Sequence, residues 1–208
     1  MPRTTRSPES RERVVAAAWR VVADVGVQDA TMRRIAAEAG VTTGSVTHHF
    51  ADKHDLLAAV VRHNNLLARD RIVAAVGDGR GLVALEGAVD ALLPIDADRR
   101  REWQVGVACW GPAAPGDRAA GELRDGWRYL ERLLAALFDQ AVEDGELPPT
   151  VDAGYEAARM VVLVAGVGML AGVESPERVR RDAKRMLADQ LQRLEEARTE
   201  DHTGGMGR

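Results

Sequence analysis

The sequence predicts an all-α protein of about nine helices, with a three-helix helix-turn-helix unit at the N-terminus and a helical bundle behind it. Three observations carry that expectation. Apolar residues recur at spacings of three and four nearly everywhere along the chain. Glycine, proline and capping threonines punctuate the pattern where helices should begin and end. No strand-like alternation of comparable length interrupts it, and the short valine pairs sit inside helical patterns.

The elements follow in order. Val14, Ala18, Val21 and Val25 mark one buried face of a first helix, which Gly26 ends. Thr31 caps a second helix carrying Ile35, Ala36 and Ala39, and Gly40 closes it. Thr42 or Thr43 caps a short third helix through Val46 to Phe50. A fourth starts near Asp52, with Leu56, Val60 and Leu67 on one face. A soft break at Gly77 to Gly81 precedes a fifth helix from Leu82 to Leu93, stopped by Pro94. A sixth spans Ala97 to Trp110, and Gly111 to Gly116 form a loop with Pro112 and Pro115. A long seventh helix covers Arg118 to Glu143, and two more cover Asp152 to Gly172 and Pro176 to Arg198. These breaks suggest an arm and helix-turn-helix domain over 1–54, a helical body over 55–198 and a disordered tail over 199–208.

Composition narrows the function classes. With 46% hydrophobic residues among 208, the chain can bury an ordinary core. Its formal charge of −4 excludes a protein basic throughout, yet residues 1–50 carry seven Arg against five acids. The remainder holds 21 basic and 27 acidic side chains, so phosphate contacts are expected at the front only. One cysteine, Cys109, excludes an internal disulfide framework and suits a reduced, cytoplasmic setting. The start lacks the apolar segment of a signal peptide, and the uncharged run Met160 to Val173 falls short of the roughly 20 residues of a membrane span. No phosphate loop, nucleophile elbow or zinc cluster is present, so neither enzyme chemistry nor a metal or cofactor is expected. His54, Asp55 and His63 have spacings unlike a standard ligand set and read as a solvated helix start.

The most informative block runs from Thr31 to Leu57 and reads TMRRIAAEAGVTTGSVTHHFADKHDLL. Ala36 allows two helices to cross closely, and Gly40 supplies the positive φ of a tight turn. Ile35, Val41, Val46 and Phe50 can seal a small core against Val21 and Val25. Thr42, Thr43, Ser45, Thr47 and His48 are then left to face outward, where short hydroxyls and imidazole fit a DNA major groove. Gly44 leaves room for the sugar-phosphate backbone, Lys53 can neutralise a phosphate, and Arg3 and Arg6 can form an arm near the minor groove. Each residue also has a plain alternative: Thr31 and Thr42 cap helices in any protein, and His48, Lys53, Arg3 and Arg6 can be ordinary solvated side chains.

The block resembles the TetR-type transcriptional repressors through T-x-x-x-I-A-x-x-A-G-V-x-x-G-x-V-x-x-H-F-x-x-K-x-x-L-L, with the likeness close over about residues 10–60. The resemblance implies a recognition helix at Thr43 to His49, a phosphate-gripping Thr31 and a phosphate-contacting Lys53. It places Thr47 where the family commonly has a tyrosine that reaches a phosphate and packs near the helix; Thr47 is too short to do both, and His48 can compensate. It further implies a ligand-responsive regulator, a repressor that binds a palindromic operator as a homodimer and leaves it when a small molecule binds. The stretch from Trp103 to Trp110 and the helices after it look similar to the subgroup with the choline-responsive repressor of betaine synthesis.

In the body, Trp103, Val107 and Trp110 share a face of the sixth helix, Trp127 sits on the seventh, and Met160, Leu163 and Val167 mark the eighth. These can line a mostly apolar effector pocket, with cation-π attraction for a quaternary amine, or simply form core. Ala158, Ala165, Gly168 and Gly172 permit close helix approach, and Val179, Ala183, Met186 and Leu194 give the last helix an apolar face. The family pairs these two helices across a two-fold axis; the other reading is that they complete the chain's own core. A different function class, a helical small-molecule or partner-binding protein without DNA recognition, rests on the missing tyrosine at position 47.

Overall fold

The computed structural model describes residues 8–111 and 117–204, and among these the regular structure is entirely helical. The elements are α1 (Pro8–Asp29), α2 (Met32–Ala39), α3 (Thr43–His49), α4 (Lys53–Val76), α5 (Gly81–Leu92), α6 (Ala97–Trp110), α7 (Arg118–Glu143), α8 (Ala153–Leu170) and α9 (Pro176–Gly204). Arg3 and Arg6, expected as a DNA arm, and the loop residues Pro112 to Pro115 lie outside the described residues.

Local chemistry sets most helix ends. Gly26, at φ 75° and ψ 172°, interrupts α1 where a C-cap is expected. Thr31 and Thr42 accept the Arg34 and Ser45 backbone N–H groups, each at 3.2 Å, and so cap α2 and α3. Gly40 is left-handed, at φ 65° and ψ 34°, and its N–H closes α2 on Ala36 and Ala37 carbonyls. Asp152 caps α8 by accepting from the Tyr155 N–H at 2.9 Å. One end departs from expectation: α9 continues through Arg198 to Gly204. Between Pro176 and Gly204 the sequence holds no glycine or proline to stop it.

Contacts divide the chain into two compact units. The first takes the chain up to Leu67 together with Arg101–Gly126, and the second takes Ala68–Arg100 and the chain from Trp127. The three divisions therefore fall inside the continuous helices α4, α6 and α7. The first unit holds one apolar core in which Val14, Ala18, Val22, Ile35, Val46, Phe50, Leu56 and Val60 are joined by Val105 and Cys109 of α6 and Ala119 of α7. Helices α2 and α3 are too short to be stable alone, so packing against α1 and α4 holds them. In the second unit, Leu85, Leu93, Leu134, Phe138, Leu147 and Met160 are among the most deeply buried side chains.

Candidate nucleic-acid interface and sensing body

Helix α3 has one buried residue, Val46, which anchors it in the core of the first unit. Thr42, Thr43, Gly44, Thr47 and His48 are exposed on it. A seven-residue helix fixed by one valine and a capping threonine presents its remaining surface outward, as the sequence predicts for Thr42, Thr43, Thr47 and His48. Ser45 differs. It is half-buried, and its Oγ is shut off from solvent with no hydrogen-bond partner among the described residues. Next to Val46, its hydroxyl turns toward the core rather than toward a groove.

The Thr47 hydroxyl donates within α3, to the Thr43 and Gly44 carbonyls at 3.3 and 3.2 Å. It is occupied by its own helix, in keeping with a side chain too short to reach further. His48 lies 5.7 Å from His49, ring to ring, and the His49 Nε2 meets Ser10 Oγ at 3.1 Å. Lys53 does more than the sequence suggests. Its Nζ donates to the Val27 carbonyl at 2.6 Å and the Gln28 carbonyl at 3.3 Å, at the end of α1. The ammonium is therefore half-buried against backbone oxygens, with at most part of its donor capacity facing out.

Sequence reasoning missed a cationic feature beside α3. Arg33 and Arg34 are exposed in the first turn of α2, and Arg13 is exposed on α1; none has an ion pair among the described residues. A helix N-terminus favours acids, yet the first turn of α2 has none. Two unpaired arginines there are unfavourable for the isolated helix and favourable for a surface that meets phosphate. The signal was in the sequence, as basic residues in a first turn. Arg20 is not part of this group, since it pairs with Glu38 at 2.7 Å.

On α6, Glu102, Val105 and Cys109 are the buried residues, while Trp103, Val107 and Trp110 form a half-buried stripe next to them. Burial pushes the Cys109 thiol up to about 12, so it is a packing residue and not a reactive one. Glu102 is only 8% exposed, an anion inside the first unit that the sequence reading did not single out. Facing it electrostatically is His63 of α4, whose pKa is lowered by burial and partly restored by the Glu102 charge. The His63 ring meets Trp19 edge-on at 6.4 Å, and the Trp19 indole donates to Asn64 Oδ1 at 2.8 Å. This polar lining, and not the tryptophans alone, distinguishes the α6 face from ordinary core. His54 pairs with Asp117 at 3.2 Å.

The remaining expected pocket residues belong to the second unit. Trp127 is half-buried on α7. Met160, Leu163 and Val167 line a groove along α8 and α9, together with Ala158, Gly166, Leu170 and Met186. Those three thus share a groove with residues of the expected pairing surface. The pairing residues themselves divide. Gly168, Val179, Ala183 and Leu194 are buried in the chain itself, with Val179 and Ala183 packed against Leu93, Val167 and Ala171. They pack in the chain's own core, the reading that the sequence held open beside pairing with a partner. Ala158 and Ala165 are half-buried, whereas Gly172 and Met186 are exposed. The free face of α8 instead carries Tyr155, Val162, Met169 and Leu170, with Val173 just beyond, 83% exposed. By length and composition α8 alone among the described residues resembles a membrane span, but Glu156, Arg159 and Gln190 form a hydrogen-bonded network across it, with contacts of 2.7 to 3.0 Å.

Comparison with known proteins gives two family matches. Residues 14–60 match the model for bacterial regulatory proteins of the tetR family, and residues 83–194 match that for the C-terminal part of BetI-type transcriptional repressors. Among curated relatives, the HTH-type transcriptional regulator PksA of Bacillus subtilis is 29% identical over 200 residues, covering 93% of this chain and 94% of that one. The HTH-type transcriptional regulator BetI of Cronobacter sakazakii is 35% identical over 97 residues, spanning 43% of this chain and about half, 48%, of its own length. A solved transcriptional regulator from Saccharomonospora viridis, in complex with choline, is 25% identical with a TM-score of 0.77, over 88% of this chain and 97% of that one.

Proposed function

The chain belongs to the TetR family of transcriptional regulators, and from that membership we propose that it grips a near-palindromic operator as a homodimer through α3 and releases it when a small organic cation binds the body. It is a cytoplasmic DNA-binding regulator and not an enzyme. The observation that carries the DNA reading is the exposed face of α3, Thr42, Thr43, Gly44, Thr47 and His48, fixed from behind by Val46. Thr31, Lys53, Arg33 and Arg34 flank it as phosphate contacts. Ser45 acts, in this reading, only after its hydroxyl turns outward.

The effector reading rests on the first unit. Trp103, Val107 and Trp110 offer an apolar and aromatic face, the kind of surface that attracts a quaternary amine through cation-π contact. The choline-bound relative supports a quaternary amine as the ligand class. Coupling to DNA has a physical route. Val105 and Cys109 of α6 share one packed core with Val46, Phe50 and Leu56, so a ligand that repositions α6 must disturb the seat of α3. It shifts operator affinity only as far as it binds the two arrangements unequally.

For the second copy, the support is the apolar face left uncovered on α8, from Tyr155 through Val162 and Met169 to Leu170, beside the groove shared with Ala158, Leu163 and Met186. A homodimer carries two α3 helices, and successive major grooves on one side of a duplex lie about 34 Å apart. Selection of bound duplexes from a random library tests the whole reading. Paired, inverted half-sites are expected, with affinity for the selected duplex falling as choline is added. Unpaired sites or no selection would overturn the operator reading, and choline-independent affinity would remove the effector class.

A further inference from the structure

We propose that α4 and the start of α7 form a charged clasp that fixes the angle of the reading head, with His54 and Arg62 on α4, Asp117 just before α7, and Arg118 and Glu122 on α7 as positioning residues. The inference deepens the operator reading above and rests on it.

The contacts lie in one line. His54 Nδ1 meets Asp117 Oδ2 at 3.2 Å, and Arg118 donates to Asp55 Oδ1 at 2.9 Å. Farther along, the Arg62 Nε donates to Glu122 Oε1 at 3.0 Å, and Asn65 donates to the Glu122 carbonyl at 2.8 Å. One turn later Gly126 faces Asn65, where an added Cβ would stand 2.8 Å from its Nδ2. Positions 118, 122 and 126 recur every fourth residue, so one face of α7 is devoted to α4. The signs alternate along α4: a histidine and an acid, then an arginine, against an acid and an arginine, then an acid.

The residue before this line ties the clasp to the reading head. Lys53 holds the Val27 and Gln28 carbonyls at the end of α1, and α1 carries the core on which α2 and α3 sit. Lys53, His54 and Asp55, three consecutive residues, therefore bind the first turn of α4 to α1 on one side and to α7 on the other. Asp55 also accepts the Ala51 N–H at 3.3 Å, in the link from α3. A shift of the α7 start is passed to α3 through this turn.

Ion pairs open to solvent add little to stability, so a structural staple is a poor account of three such contacts in a row. The basic side chains are open, with His54, Arg62 and Arg118 at 66%, 61% and 76% side-chain exposure. They can be neutralised without opening the core. What they fix is direction, and a dimeric reader is sensitive to direction because both heads must match the groove phase together.

The test uses the full chain with His54→Gln, Arg62→Gln and Arg118→Gln combined. Its binding is measured on the duplex selected by the wild type and on versions with the half-site spacing changed by one base pair either way. The wild type should lose about tenfold on either change, and the variant about threefold or less, with an unaltered unfolding midpoint. Arg118→Lys alone, which keeps the charge, should retain the sharp spacing dependence. A variant as sharp as the wild type would overturn the clasp. So would a uniform loss at all spacings with a lowered midpoint, the mark of a merely structural role. A wild type that selects no paired half-sites overturns the operator reading itself, and that result precedes any variant.

Discussion

Lys53 shows how one residue can hold more than its motif assigns. The resemblance gives it a phosphate, and the structure gives it two carbonyls at the end of α1, where the helix dipole favours a cation. These roles are separable. Lys53→Ala is expected to lower stability by about 1 kcal/mol, read by denaturant unfolding. It should also reduce the slope of log affinity against log salt by about one, read by titration on the selected duplex. Lost stability with an unchanged slope would leave Lys53 with its carbonyls alone. The capping roles of Thr31 and Thr42 were legible because a cap reaches only three residues ahead. The Lys53 contacts, 26 and 25 residues back in the chain, were not, because nothing local encodes them. Ser45 was misjudged for a related reason: periodicity assigns a side to a residue, but the orientation of one hydroxyl depends on the packing of its neighbour Val46.

Helix α5 begins under a specific constraint. Gly81 has φ 56°, and an added Cβ would fall 2.0 Å from Glu146 Oε2, whose carboxylate accepts the Leu82 N–H at 2.7 Å. A side chain there meets both backbone strain and a displaced cap. Gly77, at φ 51°, has open space around it and meets the strain only. Gly81→Ala is therefore expected to cost about 2–3 kcal/mol against about 1 kcal/mol for Gly77→Ala, compared by chemical unfolding. Equal costs would show that the Glu146 cap is dispensable. Helix starts and stops were well read wherever a breaker or a cap marked them, as at Gly40, Pro94 and Asp152. The end of α9 was not, since no breaker precedes Gly204. On α6 the sequence pointed to the large tryptophans, whereas the core took Glu102, Val105 and Cys109, one stripe over. A single residue step turns a helix by 100°, so a modest rotation set by distant partners decides which stripe is buried.

At the scale of the whole molecule, the sequence could say that α8 and α9 bury apolar area but not against what. Val179 and Ala183 complete the chain's own core, while Val162, Met169 and Leu170 remain uncovered. Both sets look alike in sequence because burial within a chain and burial between chains obey the same rule. The compact units also reorder the chain: Arg101–Gly126 joins the reading head's unit although more than thirty residues separate it from Leu67. That rearrangement puts α6 and the start of α7 into the core that seats α3, a link that only tertiary structure reveals. The central claim is that two copies of this chain read DNA together. The most direct measurement is the mass of the complex on a single selected operator, by native mass spectrometry or sedimentation at limiting duplex. Two chains, or a multiple of two, are expected on each duplex, with affinity collapsing when one half-site is scrambled. One chain bound at full affinity to an isolated half-site would contradict it.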